Sequence, residues 1–277
     1  MPPTEERFQG RDGVEFHGRR WEIFPAKGLC FLIHGFAEHS GRYSWLAQKL
    51  NSRGYSVYAL DQRGHGLSSG ARGDCRSLAE LVDDIDAWVR KVRDCSPGTP
   101  AFLIGHSLGG LITLAYAADH PQGLAGVAVS SPLIRLGVKL PAAKKAFIRM
   151  LGRLMPGVSL PNGVVPDHLS HDPSVVETYR SDPLIFRTIT AGCAVALDRA
   201  MACTDDLAGR IRIPCLILQA GDDRVCSAQA ADAFAKRADP TWVTFRRYEG
   251  LYHEIFNEPQ KETVAADLSA WLDSLAR

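Results

Sequence analysis

The stretch Gly105-His106-Ser107-Leu108-Gly109-Gly110 limits the possible folds more than any other part of the chain. It follows the apolar run Ala101-Phe102-Leu103-Ile104, whose pattern is that of a short buried strand. It precedes Leu111-Ile112-Thr113-Leu114-Ala115-Tyr116-Ala117-Ala118, which reads as a helix. A strand that turns into a helix through G-x-S-x-G is a nucleophile elbow. The turn puts the serine in a cramped backbone, and glycine at 105 and 109 lets strand and helix close on each other. The serine oxygen then stands at the carboxyl edge of a sheet. The new helix turns its free N–H groups and positive end toward a developing oxyanion there. Alone, the motif also describes a glycine-rich βα turn of any doubly wound sheet. A base, an acid and a second oxyanion donor must come from elsewhere in the chain.

Similar runs recur on both sides of the elbow. Leu29-Cys30-Phe31-Leu32-Ile33 is continuously apolar and ends in His34-Gly35, as expected of a strand buried on both faces. Tyr55 to Leu60, Leu124 to Val129, Cys215 to Ala220 and Trp242 to Phe245 read as further strands. Helical spacing covers residues 41–53, 78–92 and 260–275. The alternation predicts an α/β fold, a mostly parallel sheet with helices on both faces. Two early antiparallel strands are expected at 13–16 and 20–24. The rhythm stops after Pro132 and returns at Pro214, and six prolines from Pro141 to Pro183 punctuate short helical pieces between. We therefore expect a core of residues 1–133 and 207–277, with an inserted helical cap at 134–206.

With 277 residues, 45% of them hydrophobic, the chain can bury one large core. A net charge of +1 gives no reason to expect nucleic acid as a partner. No apolar run approaches the roughly 20 residues of a spanning helix. The start, Met1 to Arg7, is polar and acidic, unlike a secretory signal, so a cytoplasmic protein is expected. The seven cysteines include no C-x-x-C pair and no metal-ligand spacing, so no metal site is expected and the thiols read as structural.

Sheet edges of this kind carry active sites beyond the carboxyl ends of the strands. A neutral serine needs a base, and His253 follows the last strand in Tyr248-Glu249-Gly250-Leu251-Tyr252-His253-Glu254. The base needs a carboxylate, and Asp222-Asp223 follows the preceding strand. Either Asp223 holds the imidazole, or Asp222 does and Asp223 caps the next helix. The amide of Leu108 supplies one oxyanion donor and that of Phe36, in the loop after His34-Gly35, the other. His34 and His106 read as loop braces. His17, His120, His168 and His171 read as surface or capping residues.

The run from His34 to Tyr43, the run Asp61-Gln62-Arg63-Gly64-His65-Gly66, the elbow, Ser130-Ser131-Pro132-Leu133, Ser181-Asp182-Pro183-Leu184, Asp223-Arg224 and the His253 loop keep the order of one family. Together they resemble the monoacylglycerol lipase and lysophospholipase-like branch of the α/β-hydrolases, the serine aminopeptidase S33 or "hydrolase 4" group. The resemblance spans nearly the whole chain. It implies a triad of Ser107, Asp223 and His253 with Phe36 and Leu108 at the oxyanion hole, and no cofactor. It also implies polar groups for the glycerol end of a substrate at Glu38, Arg42, His106 and Tyr179. Phe186 stands where mammalian members have a cysteine, while Cys193 and Cys226 match cysteines they carry, so thiol-directed regulation is not carried over from the resemblance.

The activity so implied is hydrolysis of glycerol esters, monoacylglycerol first. The nearest rivals are a lysophospholipase, a general short- or medium-chain esterase and an aminopeptidase. Acyl transfer and cofactor-free haloperoxidase chemistry use the same triad. A ligand-binding receptor on this scaffold is the non-enzyme rival, and an intact serine, aspartate and histidine weigh against it. Residues 142–155 place Ala143, Phe147, Ile148, Leu151, Leu154 and Met155 at helical spacing among Lys144, Lys145, Arg149 and Arg153. This reads as a lid helix packed on the core, or as a helix making shallow contact with a membrane or micelle.

Overall fold

The computed structural model describes residues 2–10 and 12–276. The chain begins with an antiparallel pair, β1 (Thr4–Gln9) and β2 (Glu15–Trp21), in the register Phe8↔Phe16. Here the expected strands at 13–16 and 20–24 are corrected. Residues 15–21 form one strand, and its partner is the polar start of the chain. An edge strand buries only alternate side chains, and β1 does so with Phe8, whose ring stacks 5.7 Å from that of Phe16. Its polar composition therefore hides its conformation.

The alternating part follows as β3 (Gly28–Ile33), a 3-10 turn (Ser40–Tyr43), α1 (Ser44–Ser52), β4 (Tyr55–Leu60), α2 (Leu78–Asp94), β5 (Ala101–His106), α3 (Leu108–Asp119) and β6 (Gly126–Ser130). Next come α4 (Ala142–Leu154), β7 (Ser159–Pro161), α5 (Pro173–Ser181), β8 (Thr188–Thr190), α6 (Ala191–Ala202) and α7 (Thr204–Ala208). The chain then returns to the sheet with β9 (Cys215–Ala220), α8 (Ala228–Arg237), β10 (Val243–Tyr248) and α9 (Lys261–Leu275). The main sheet has eight strands in the order β1-β2-β4-β3-β5-β6-β9-β10. The pairs from β4 through β10 are parallel, and β2 joins β4 antiparallel. This is the α/β-hydrolase fold.

Every residue of β3, β4, β5, β6 and β9 is buried, which is why these strands read as unbroken apolar runs. Side chains alternate between two cores. Leu29, Phe31 and Ile33 face the cluster filled by Trp88 of α2 and Leu111 and Ile112 of α3. Cys30 and Leu32 face the opposite cluster, filled by Leu46 and Leu50 of α1 and Val264, Leu268 and Leu272 of α9. Each such side chain contributes about 1.5–3 kcal/mol of apolar burial. That burial holds the strand ends, and hence the loops after them, in fixed positions.

Between β6 and β9 no described residue joins the main sheet. β7 and β8 pair with each other as a separate antiparallel ribbon. α6 and α7 put Cys193, Leu197, Met201 and Leu207 into the first core. α4 buries no residue and packs on α6, where a Cβ on Gly152 would stand 2.7 Å from Val195 Cγ2. The expected packing of this helix on the core is thus corrected. Ile148, Leu151 and Gly152 are its half-covered residues, while Phe147, Leu154 and the following Met155 remain 52%, 69% and 57% exposed.

Candidate active site

The elbow has the geometry its sequence demands. Ser107 lies between β5 and α3 with φ 52° and ψ −114°. A Cβ on Gly105 would fall 2.2 Å from the Gly109 carbonyl oxygen, and one on Gly109 would fall 2.1 Å from that of Ile33. Neither position tolerates a side chain. The Ser107 amide donates to the Ser130 carbonyl (3.0 Å), and its carbonyl accepts from Leu111 (3.1 Å) and Leu133 (2.9 Å). Among the described residues, Ala37, Ser107 and Ser131 are the non-glycine residues with positive φ. They sit in the loops after β3, β5 and β6, so the strained backbone gathers at one rim of the sheet.

His253 lies in the loop after β10 and is buried. Its Nδ1 donates to Asp223 Oδ2 at 2.9 Å. That bond leaves the lone pair of a neutral imidazole on Nε2, the tautomer a general base requires. Of the alternatives at 222 and 223, Asp223 is the residue bonded to the imidazole, and the next helix, α8, is capped by Ser227, whose Oγ accepts from the Ala230 amide. Asp223 Oδ2 faces His253, while Oδ1 accepts from the amides of Val225 (2.9 Å) and Cys226 (2.8 Å). Asp222 is exposed, and its amide donates to the Leu251 carbonyl. Burial disfavours the imidazolium of His253, but the Asp223 charge and hydrogen bond outweigh it and raise the pKa. Burial likewise opposes the Asp223 carboxylate, and His253 and the two amides hold its pKa below the ordinary value.

Cys226, three residues after Asp223 in sequence, completes the cluster. Its Sγ lies 3.9 Å from Ser107 Oγ. The Cys226 sulfur, an Asp223 carboxylate oxygen and a His253 ring nitrogen lie within 4.8 Å of one another. Burial, then the Asp223 charge, pushes this thiol well up, so it stays neutral beside the serine. The His106 ring lies 4.7 Å from the His253 ring, and its Nδ1 is 3.0 Å from Ser130 Oγ. Burial, then repulsion from His253, lowers the His106 pKa to about 4, so it is neutral at pH 7.

Leu108 opens α3, and its amide has no helical carbonyl one turn behind it. Phe36 follows Gly35 after β3, and among the described residues its amide has no hydrogen-bond acceptor. The loop carrying Phe36 is braced from both sides. His34 accepts from the Gln62 amide at Nε2 (2.9 Å) and donates to the Gly35 carbonyl from Nδ1 (2.7 Å). The Gly35 amide donates to Glu38 Oε1 (2.6 Å).

Glu38 and Tyr179 are buried, and Arg42, half-buried, contacts both. Arg42 donates to Glu38 and, through both terminal nitrogens, to Glu254, each at 2.7 Å. Its guanidinium lies 5.1 Å from the centroid of the Tyr179 ring. The Tyr43 hydroxyl also donates to Glu38 (2.7 Å). Burial opposes the Glu38 carboxylate, yet Arg42 beside it brings the pKa down to about 2. This network joins the loop of Phe36 to the loop of His253. Glu254 is a residue sequence reasoning missed, and its place next to His253 was the available signal.

The remaining histidines divide. His17 is buried, with Nδ1 3.4 Å from Asp61 Oδ2, which corrects its reading as a surface or capping residue. It sits on β2 where that strand faces β4, and a polar residue on a covered strand is not visible from local pattern. His171 stacks on Tyr252 at 3.6 Å and pairs with Glu258. His120 ends α3, and His168 lies in a 3-10 turn.

The family model described as "Serine aminopeptidase, S33" matches residues 25–260. A monoacylglycerol lipase of Mycolicibacterium smegmatis is 34% identical over 274 residues, 98% of this chain and 97% of its own. A phospholipase of Bacillus subtilis is 31% identical over 91% of this chain and 98% of its own. The crystal structure of a monoacylglycerol lipase from Paleococcus ferrophilus superposes with a TM-score of 0.84 at 33% identity, covering 99% of each chain. A family model that runs from the approach to β3 through the loop of His253, together with a fold matched almost end to end, places this chain in the serine aminopeptidase S33 family of α/β-hydrolases.

Proposed function

We propose that the protein hydrolyses monoacylglycerols to glycerol and fatty acid through an acyl-enzyme. Ser107 Oγ attacks the ester carbonyl, and His253 Nε2 takes its proton. Asp223 fixes the imidazole and stabilises its charge. The amides of Phe36 and Leu108 receive the oxyanion. His253 then protonates the leaving glycerol and activates water to release the acid. The observation that carries this reading is the Asp223–His253 pair clustered with Cys226, whose sulfur lies 3.9 Å from the Ser107 hydroxyl at the same sheet rim, in a chain similar over nearly its full length to a monoacylglycerol lipase.

Residues 134–206 act as a cap over that rim in this reading. Glu38, Arg42, His106 and Tyr179 border the glycerol end, the first two by holding their loops. The exposed Phe147, Leu154 and Met155, beside Lys144 and Arg153, make shallow contact with lipid from the cytoplasmic side. No helix among the described residues is long and apolar enough to cross a membrane. Similarity to a phospholipase supports lysophospholipid as the second candidate substrate. Release assays on monoacyl-, diacyl- and triacylglycerols and lysophospholipids, with Ser107→Ala as blank, decide between them. Monoacylglycerol should be cleaved fastest, and dominant lysophospholipid turnover would reverse the choice. In liposome co-sedimentation, Phe147→Ser/Leu154→Ser should bind less than the wild type, and equal binding removes the lipid contact.

A further inference from the structure

Cys75 and Cys193 are 118 positions apart in sequence, and their sulfurs are 3.0 Å apart. Both are buried. Cys75 lies in the loop before α2, part of the core. Cys193 lies in the first turn of α6, in the segment between β6 and β9. We propose that this pair is a reversible disulfide site that fastens the inserted segment to the core.

The surroundings already hold both sulfurs in place. The Thr190 amide donates to the Gly73 carbonyl (2.9 Å), and Thr190 Oγ1 donates to Asp74 Oδ1 (2.6 Å). The same Oγ1 accepts from the Cys193 amide (3.1 Å), capping α6. Gly73 has φ +66°, and the space of a Cβ there is taken by the Thr188 carbonyl oxygen at 2.5 Å. The backbone before Cys75 and the backbone before Cys193 are therefore bonded to each other. An S–S bond is about 2.05 Å long, so closure needs about 1 Å of approach. Among the described residues no other two cysteines lie within hydrogen-bond reach. Cys30 and Cys215 face opposite cores, and Cys95 and Cys203 are exposed.

The oxidant is a hydroperoxide. One thiol attacks the outer peroxide oxygen, the O–O bond breaks, and a sulfenic acid and an alcohol (or water) form. The second thiol attacks the sulfenic sulfur and expels water. Two thiols and one hydroperoxide thus give one disulfide, one alcohol and one water, the electron pair passing from sulfur to oxygen. Either thiol can be oxidised first, because each has the other 3.0 Å away to resolve it. Burial makes the reaction slow, paced by local opening of the inserted segment.

The test uses the full chain with Cys95→Ser and Cys203→Ser to silence the exposed thiols. Reduced, folded protein is treated with hydrogen peroxide, alkylated after unfolding and digested without reductant. The expected product is a peptide pair joined through positions 75 and 193, two hydrogens lighter and released by dithiothreitol. The oxidised form should melt about 5 °C or more above the reduced form. A Cys75→Ser version should show neither change, and Cys75→Ala serves if the serine folds poorly. Full alkylation of both cysteines after peroxide, or sulfinic acid without the joined peptide, overturns the proposal. A joined peptide with no rise in melting temperature overturns the fastening role.

Discussion

One oxygen of Asp223 faces His253 and the other takes two backbone amides, so Asp223→Asn keeps most of the loop but mispresents the imidazole. Turnover should fall by about 10³–10⁴. Asp222→Asn, altering an exposed group, should stay within about threefold of wild type, and steady-state ester assays compare the two. The raised pKa of His253 fixes a second outcome, because a general base works only when unprotonated. As pH falls, kcat/KM should drop through a midpoint above 6.5, and in Asp223→Asn that midpoint should move down, since the largest opposition to burial is then gone and only the Glu254 and Glu38 charges remain. Arg42 tests the network between the loops. Arg42→Ala leaves two buried carboxylates without their cation and should cost about 3–5 kcal/mol in urea unfolding. Because the folded-state pKa of Glu38 is depressed to about 2, its contribution is present above the unfolded carboxyl range near 4.5 and fades as pH falls toward 2. Ser107 and His253 were legible because elbow and loop motifs carry them. The choice between Asp222 and Asp223 was not, because adjacent residues share one local pattern and only tertiary packing decides which is covered.

At the elbow, strand and helix approach closely enough that backbone oxygens occupy the space of two absent side chains. Gly109→Ala should therefore lose on the order of 3 kcal/mol or more and most activity. Gly157→Ala, with nothing within 4 Å, should change stability by less than about 1 kcal/mol, and thermal melting of both variants checks the contrast. The same packing explains which elements could be read from sequence. β3, β4, β5, β6 and β9 are covered on both faces and announce themselves as continuous apolar runs. β1 is an edge strand with one half-covered face, and its charged residues look like a polar tail. β7 and β8 are three residues each and carry no period to detect. α4 has strong helical spacing, but spacing does not say what the apolar side meets, and here much of it meets solvent.

The whole molecule brings the loops after six parallel strands to one rim, and the serine, the imidazole and the carboxylate arrive there from three of them. Two separate cores hold the sheet from both sides, and the segment between β6 and β9 joins the first of them through α6 and α7. An attack by Ser107 on an ester carbonyl is the event on which every other step depends. It is read by reacting the folded protein with a fluorophosphonate, with and without excess monoacylglycerol, and mapping the adduct by peptide mass spectrometry. One phosphonyl group should appear on Ser107, monoacylglycerol should slow its appearance, and Ser107→Ala should take none. No adduct, an adduct on a different residue, or a Ser107→Ala protein that still cleaves the ester at the wild-type rate would contradict the mechanism.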